Sequence, residues 1–157
     1  MQADSGIQNC PSGWFAGTCH VFPVRVYYED TDAAGIVYYA NYLKFAERAR
    51  TEMMRCLGTE HQSLMEEAGI AFVVRSCHAE YLQPARLDEA LVVRTQIREL
   101  RGASMRASQF VIRQESDGTE TNLVELVIRL ACMSGDLKPA RLPGAVRKSL
   151  GNLVEEQ

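Results

Sequence analysis

The sequence predicts an α+β domain: one long amphipathic helix packed on a five-stranded, mostly antiparallel sheet. Three observations carry this. Apolar residues recur at three- and four-residue intervals over one long stretch, residues 40–57. Beyond residue 70 the period changes to two. The turn pairs Arg101-Gly102 and Asp117-Gly118 join those two-periodic runs, as tight turns join neighbouring antiparallel strands.

In chain order, residues 1–18 are rich in Ser, Gly, Gln and Asn and show no period. They are expected to form a flexible leader, in which Trp14 and Phe15 dock locally, so the chain divides into a leader at 1–19 and one domain at 20–157. Residues 21–28 alternate as a strand, with Phe22, Val24, Val26 and Tyr28 against Pro23, Arg25 and Tyr27. A turn-rich run, EDTDAAGIVYYAN, leads into the helix. There Leu43, Ala46, Ala49, Met53 and Leu57 make the apolar stripe, Lys44, Glu47, Arg48 and Arg55 fill other positions, and Gly58 ends it. A shorter helix at 60–68 stops at Gly69. Strands follow at 71–82, closed by a PARLDE turn, at 90–100 and at 104–114. In the last strand Val124, Leu126, Ile128, Leu130 and Cys132 line one face, with Glu125 and Arg129 on the other. Pro139 and Pro143 end the sheet, and residues 145–154 close the chain as a helix. One helix leaves a sheet face or edge uncovered, which a second copy of the chain would cover, so a homodimer or homotetramer is expected.

Composition narrows the function. At 157 residues, 46% hydrophobic and 24% charged, the chain has the profile of one globular domain. A net charge of −3 gives no footprint for nucleic acid. The five cysteines, Cys10, Cys19, Cys56, Cys77 and Cys132, are odd in number and form no C-x-x-C pair, which points to a reducing compartment rather than a disulfide framework. His20, His61 and His78 have no ligand spacing, so no metal site is expected. No secretory signal and no transmembrane stretch is visible, and the expected location is cytoplasmic.

Glu29, Asp30 and Asp32 cluster just ahead of the long helix. A helix start offers unpaired N–H groups and the positive end of a dipole, which suit a developing oxyanion. A carboxylate beside it can attack a carbonyl or deprotonate a water. Gly35 lets a ligand pass close to the backbone. The same residue types also cap helices or sit solvated in turns, so the pattern alone leaves both readings open.

The run VRVYYEDTDAAGIVYYANYLKFAERARTEMMRCLG resembles the signature of the 4-hydroxybenzoyl-CoA thioesterase branch of the hot-dog superfamily, and more closely that of the Tol–Pal-associated acyl-CoA thioesterases of the YbgC type. The resemblance continues through AFVVRSCHAEYLQPARLDEAL, ELRGAS and LKPARLP. It implies a hot-dog fold and hydrolysis of an acyl-CoA thioester to a free acid and CoA, with neither metal nor organic cofactor. Asp32 corresponds to the essential carboxylate, as nucleophile or general base, with Asp30 supporting it. The backbone N–H of Tyr39 corresponds to the oxyanion donor. Gly35, Val37 and Asn41 fall in the substrate-binding motif, and Arg101 at the bend matches basic residues near the CoA phosphates. Where close YbgC-type relatives often carry His, this chain has Tyr39. An acyl carrier protein is a further possible partner. The alternative reading is a non-catalytic acyl-CoA or acyl-carrier-protein binding module. A hot-dog dehydratase or hydratase is a third, but it needs a catalytic histidine in a motif this chain lacks. Arg75, Arg94 and Arg98 read as solvated strand positions.

Overall fold

A computed structural model describes residues 11–155. The sheet has six strands: β1 (Trp14–Ala16), β2 (Cys19–Arg25), β3 (Ile70–Tyr81), β4 (Ala90–Leu100), β5 (Ser104–Gln114) and β6 (Glu120–Ser134). The helices are α1 (Asn41–Cys56), α2 (His61–Ala68) and α3 (Gly144–Gly151). The strands lie in the order β1-β2-β4-β5-β6-β3, and every neighbouring pair is antiparallel.

The sixth strand corrects the expected count. β1 comes from the stretch expected as leader, and it folds back on β2 through Gly17 and Thr18, with Gly17 at φ 63°. A glycine with positive φ opening a two-residue loop is a hairpin device. Residues 1–10 lie outside the described residues. Pro23 of β2 pairs with Val92 beyond the reach of β1, whose pairing stops at Trp14 and Val21. A proline has no N–H to give a second neighbour, so it suits a strand that is an edge at that point.

α1 lies on one face of the sheet and buries Tyr42, Phe45, Ala46, Ala49, Met53 and Met54. They meet the inward residues Leu91, Val93, Ile97, Ala107, Val111, Leu126 and Ile128 in one core. Leu43, expected on this stripe, is 41% exposed. The two aromatic residues either side of it, Tyr42 and Phe45, take the core and turn Leu43 towards β3. α1 ends as the spacing predicts: Leu57 is the cap, Gly58 has φ 79°, and Thr59 N–H reaches back to Met54 O at 2.9 Å.

The outer face carries a small apolar cluster of Val21, Val92 and Ile112 with Trp14 and Phe110 against it. At the far edge, β3 pairs only with β6. Its twelve residues leave one side open, and Val73, Val74 and Tyr81 are exposed on it.

Candidate active site

The segment between β2 and α1 is held as a compact loop by backbone pairing. A 3-10 turn at Tyr28–Asp30 reverses the chain. Thr31 then bridges to Val37, and Ile36 bridges to Arg86. Within this frame Asp32 N–H donates to Ile36 O at 2.9 Å and Gly35 N–H to Asp32 O at 3.0 Å. Gly35 sits at φ 78°, where a side chain would strain the turn, and nothing lies within 4 Å of the place its Cβ would occupy.

The two aspartates of the D-x-D pair do different work. Asp30 Oδ2 accepts the Tyr27 N–H at 2.8 Å, closing the 3-10 turn. Its backbone oxygen accepts both Tyr38 N–H and Asn41 Nδ2, each at 2.9 Å. Asn41, 9% exposed, is therefore a brace that ties the first residue of α1 to the loop. Asp32 is exposed. One carboxylate oxygen accepts Ala34 N–H at 2.8 Å, which fixes the side chain in an Asx turn; the other has no protein donor among the described residues.

α1 begins without a side-chain cap. The N–H groups of Tyr39 and Ala40, just ahead of its first residue, have no acceptor among the described residues. The Tyr39 ring is 58% exposed and packs edge-on against Tyr38 and Tyr81, with centroids 4.9 and 6.0 Å apart. Tyr81 Oη donates to Tyr39 O at 3.3 Å, so β3 reaches the helix start.

Val37 is 3% exposed and part of the core, and its N–H donates to Ala85 O at 2.9 Å. Ala85 N–H in turn donates to the Tyr42 hydroxyl at 3.0 Å. Burial raises the Tyr42 pKa, so the phenol stays neutral. This chain of contacts pins the loop to α1. Nothing in the sequence marks the link between Tyr42 and Ala85 of the PARLDE turn, because a contact 43 positions apart leaves no local signal.

A groove runs from the helix start between α1 and β3. Leu43, Lys44, Glu47, Arg50, Val74, Cys77 and Ile128 line a space of about 320 Å³, and Phe72, His61, Met53 and Met54 border a further 140 Å³ beyond it. From Asn41 to Arg50 the helix advances roughly 14 Å. Arg50 donates to Gln109 Oε1 at 2.9 Å, and Gln109 donates to Thr95 Oγ1 at 2.9 Å and Ala46 O at 3.0 Å.

The other expected residues lie apart. Arg101 sits at the β4–β5 bend with its side chain 74% exposed and 2.5 Å from Glu99. His20 is fully buried and bonds Ser12 O through Nε2 at 2.9 Å, His61 is near Thr51 Oγ1 at 3.5 Å, and His78 pairs with Glu80 on exposed β3. Among the described residues no three His, Cys, Asp or Glu side chains gather as a metal site.

A family model described as the thioesterase-like superfamily matches residues 26–150, nearly the whole described domain. The chain belongs to that superfamily. The acyl-CoA thioesterase YbgC of Haemophilus influenzae is 42% identical over 133 residues, 84% of this chain and 94% of its own. The acyl-CoA thioester hydrolase YbgC of Escherichia coli is 45% identical over 126 residues, 80% of this chain and 90% of its own. A probable thioesterase of known structure from Bartonella henselae matches with a TM-score of 0.73 at 35% identity, over 80% of this chain and 99% of that one. A mutant 4-hydroxybenzoyl CoA thioesterase complexed with 4-hydroxybenzoyl CoA has a TM-score of 0.80 at 22% identity, over 85% and 99% of the two chains, which is a likeness of fold. The thioesterase's sheet and long helix are thus those of the hot-dog architecture, with six strands in place of the expected five.

Proposed function

We propose that this thioesterase hydrolyses acyl-CoA to a free acid and CoA with Asp32 as the reacting carboxylate. The observation that carries the reading is the contrast inside the D-x-D pair. Each has one oxygen on a backbone N–H, but Asp30 is half-buried and closes the 3-10 turn on Tyr27, whereas Asp32 is exposed with its second oxygen open to a ligand. The thioester oxygen is assigned to the Tyr39 N–H at the start of α1, where the helix dipole and an unpaired donor favour the charge that develops. Two routes are open to Asp32. It attacks the carbonyl carbon, expelling the CoA thiolate and leaving a mixed anhydride for water to open, or it takes a proton from water that attacks directly.

Gly35 and Asn41 hold the loop against the incoming substrate, and Val37 contributes from the core side as the anchor of the loop on Ala85. The acyl group is assigned to the groove between α1 and β3, and Arg101 to the CoA phosphates. The free β3 edge supports pairing with a second copy, giving a dimer or a dimer of dimers. Among the described residues no helix is long and apolar enough to cross a membrane. A cytoplasmic place beside the Tol–Pal machinery, and an acyl carrier protein as a further acyl donor, rest on the resemblance of the motif.

The test is Asp32→Asn. Asn retains an oxygen for the Ala34 N–H, so the loop should hold and CoA binding should survive. Turnover, followed as thiol release from acyl-CoA, should fall by roughly 10²-fold or more, the scale of general-base catalysis. Near-normal turnover in that variant would overturn the assignment. Absence of thiol release from the unmodified protein across acyl chain lengths would favour a binding module instead.

A further inference from the structure

Most of the groove between α1 and β3 is apolar: Leu43, Val74 and Ile128 line its nearer part, and Met53, Phe72 and Leu130 its farther part. Arg50 lines both parts, so its side chain stands where they meet. It is half-buried, and that burial lowers its pKa, yet a guanidinium keeps its charge. Its one hydrogen bond among the described residues runs from Nη1 to Gln109 Oε1 at 2.9 Å. Gln109 is fully buried and its amide nitrogen is committed to Ala46 O and Thr95 Oγ1, so it offers Arg50 a neutral acceptor and no counter-charge.

No carboxylate forms an ion pair with Arg50 among the described residues. Glu47, one turn earlier on the same helix, is exposed and accepts the Thr51 hydroxyl at 2.8 Å instead. Lys44 is a second cation of the groove, exposed and nearer the helix start, and burial lowers the pKa of His61, which keeps that ring neutral. Arg50 therefore presents Nε and Nη2, neither of which has a protein acceptor nor is sealed from solvent. These two form the edge of the guanidinium plane whose N–H groups run parallel, and that edge pairs side-on with both oxygens of a carboxylate. A partly desolvated charge without a counter-ion is costly; a bound carboxylate supplies the opposite charge and two acceptors together, where a hydroxyl supplies no charge. The position suits the end of an acyl chain. Helical side chains lean towards the N-terminus, and the contacts of Gln109 with both Ala46 O and Arg50 put the guanidinium about level with Ala46. From Asn41, beside the assigned thioester carbonyl, that level is roughly 8 Å along the axis, within the span of a medium-length chain.

We infer that Arg50 is a specificity-determining residue that reads a carboxylate at the far end of the acyl group, so that the preferred substrates are ω-carboxyacyl-CoAs, the CoA thioesters of dicarboxylic acids. The inference rests on the assignment of the acyl group to this groove and of the reaction to Asp32.

The test is calorimetric binding of suberyl-CoA and octanoyl-CoA to the full-length Asp32→Asn protein. The two ligands share a chain length and differ in a terminal carboxylate for a methyl group. Suberyl-CoA should bind tighter by about tenfold or more, the scale of one charge-assisted pair. Adding Arg50→Gln should erase most of that ratio. The same change removes the bond to Gln109, so if the variant melts well below its parent, Arg50→Lys takes its place. A lysine keeps the charge and can reach Gln109 but has no paired edge, and the ratio should again fall. Lys44→Gln should leave most of the ratio in place. Equal binding of the two ligands by the parent, or a parallel weakening of both in the Arg50 variants, would overturn the inference and leave Arg50 as a brace for Gln109. Binding of neither ligand would overturn it together with the acyl-CoA reading. Binding needs no turnover, so loss of the ratio alone leaves the role of Asp32 standing. Thiol release persisting in Asp32→Asn would instead remove that role, and the ratio would then be taken from kcat/KM of the Arg50 variants.

Discussion

Removing one oxygen atom from the core tests how the Asp32 loop is held. Tyr42→Phe deletes the hydroxyl that accepts the Ala85 N–H at 3.0 Å, at a position where Tyr42 is 3% and Ala85 0% exposed. The ring itself stays packed, 6.0 Å from Phe45 and 5.8 Å from Tyr81 between centroids. What changes is a buried N–H left with no acceptor, which costs about 1–3 kcal/mol. For a domain of this size, about 2 kcal/mol lowers the melting temperature by roughly 4–8 °C. Because Ala85 O also accepts the Val37 N–H, the slackened turn should let the loop drift, and kcat/KM should fall about tenfold. The pair of assays is thermal unfolding and acyl-CoA hydrolysis. Tyr39→Phe is the control: its ring is 58% exposed, so the change should stay within about 0.5 kcal/mol, and the backbone N–H is untouched. A Tyr42→Phe protein as stable as its parent would refute the clamp.

Three further outcomes follow from the same structure. Asp30→Ala removes the acceptor of the Tyr27 N–H and should cost about 1 kcal/mol by chemical denaturation, with a smaller loss of kcat than Asp32→Asn. Stability should fall as pH drops below about 6.5, because burial lowers the pKa of both His20 and His61: each is neutral in the fold and takes up a proton more readily when unfolded. His20→Gln should flatten that slope, measured as melting temperature against pH. Analytical ultracentrifugation at micromolar concentration should give a dimer or tetramer, and a monomer would count against pairing at the β3 edge.

Much of the fold was legible because its signals are local. β6 reads as a clean alternation, and Val124, Leu126, Ile128, Leu130 and Cys132 are indeed its buried face. β4 and β5 keep the boundaries that their alternation and the Arg101-Gly102 and Asp117-Gly118 turns predict. β1 escaped because three residues are too few to display a period; only Gly17 marked it, and a single glycine also suits a loose leader. Leu43 was misplaced because helical spacing fixes a stripe only to within about one residue, and the larger side chains of Tyr42 and Phe45 decide which way it rolls. Arg75 reads as a solvated strand position and Arg129 as an outward residue of the last strand, while Arg106 carries no reading of its own. That the three surround one cavity depends on the registers Arg106 to Arg129 and Ser76 to Arg129, and on the bulge at Arg75, none of which sequence spacing encodes.

The D-x-D pair makes the same point at the scale of two residues. Asp30 and Asp32 are chemically identical, and nothing in their side chains assigns one to structure and the other to reaction. The backbone separates them in exposure: the 3-10 turn aims Asp30 back at the Tyr27 N–H, and the turn inside the Thr31–Val37 bridge leaves Asp32 exposed, as the proposed role requires. A substitution that alters this backbone would therefore disturb catalysis without touching a carboxylate. Gly35 is such a position, since φ 78° costs most other residues about 1–2 kcal/mol. Space is not the obstacle there, because nothing lies within 4 Å of an added Cβ. Gly35→Ala should accordingly lower stability by that amount and reduce kcat. Gly35→Asn, which tolerates positive φ better, should recover part of both. Equal losses in the two variants would show that φ is not the source of the cost and that the backbone argument for Asp32 is wrong.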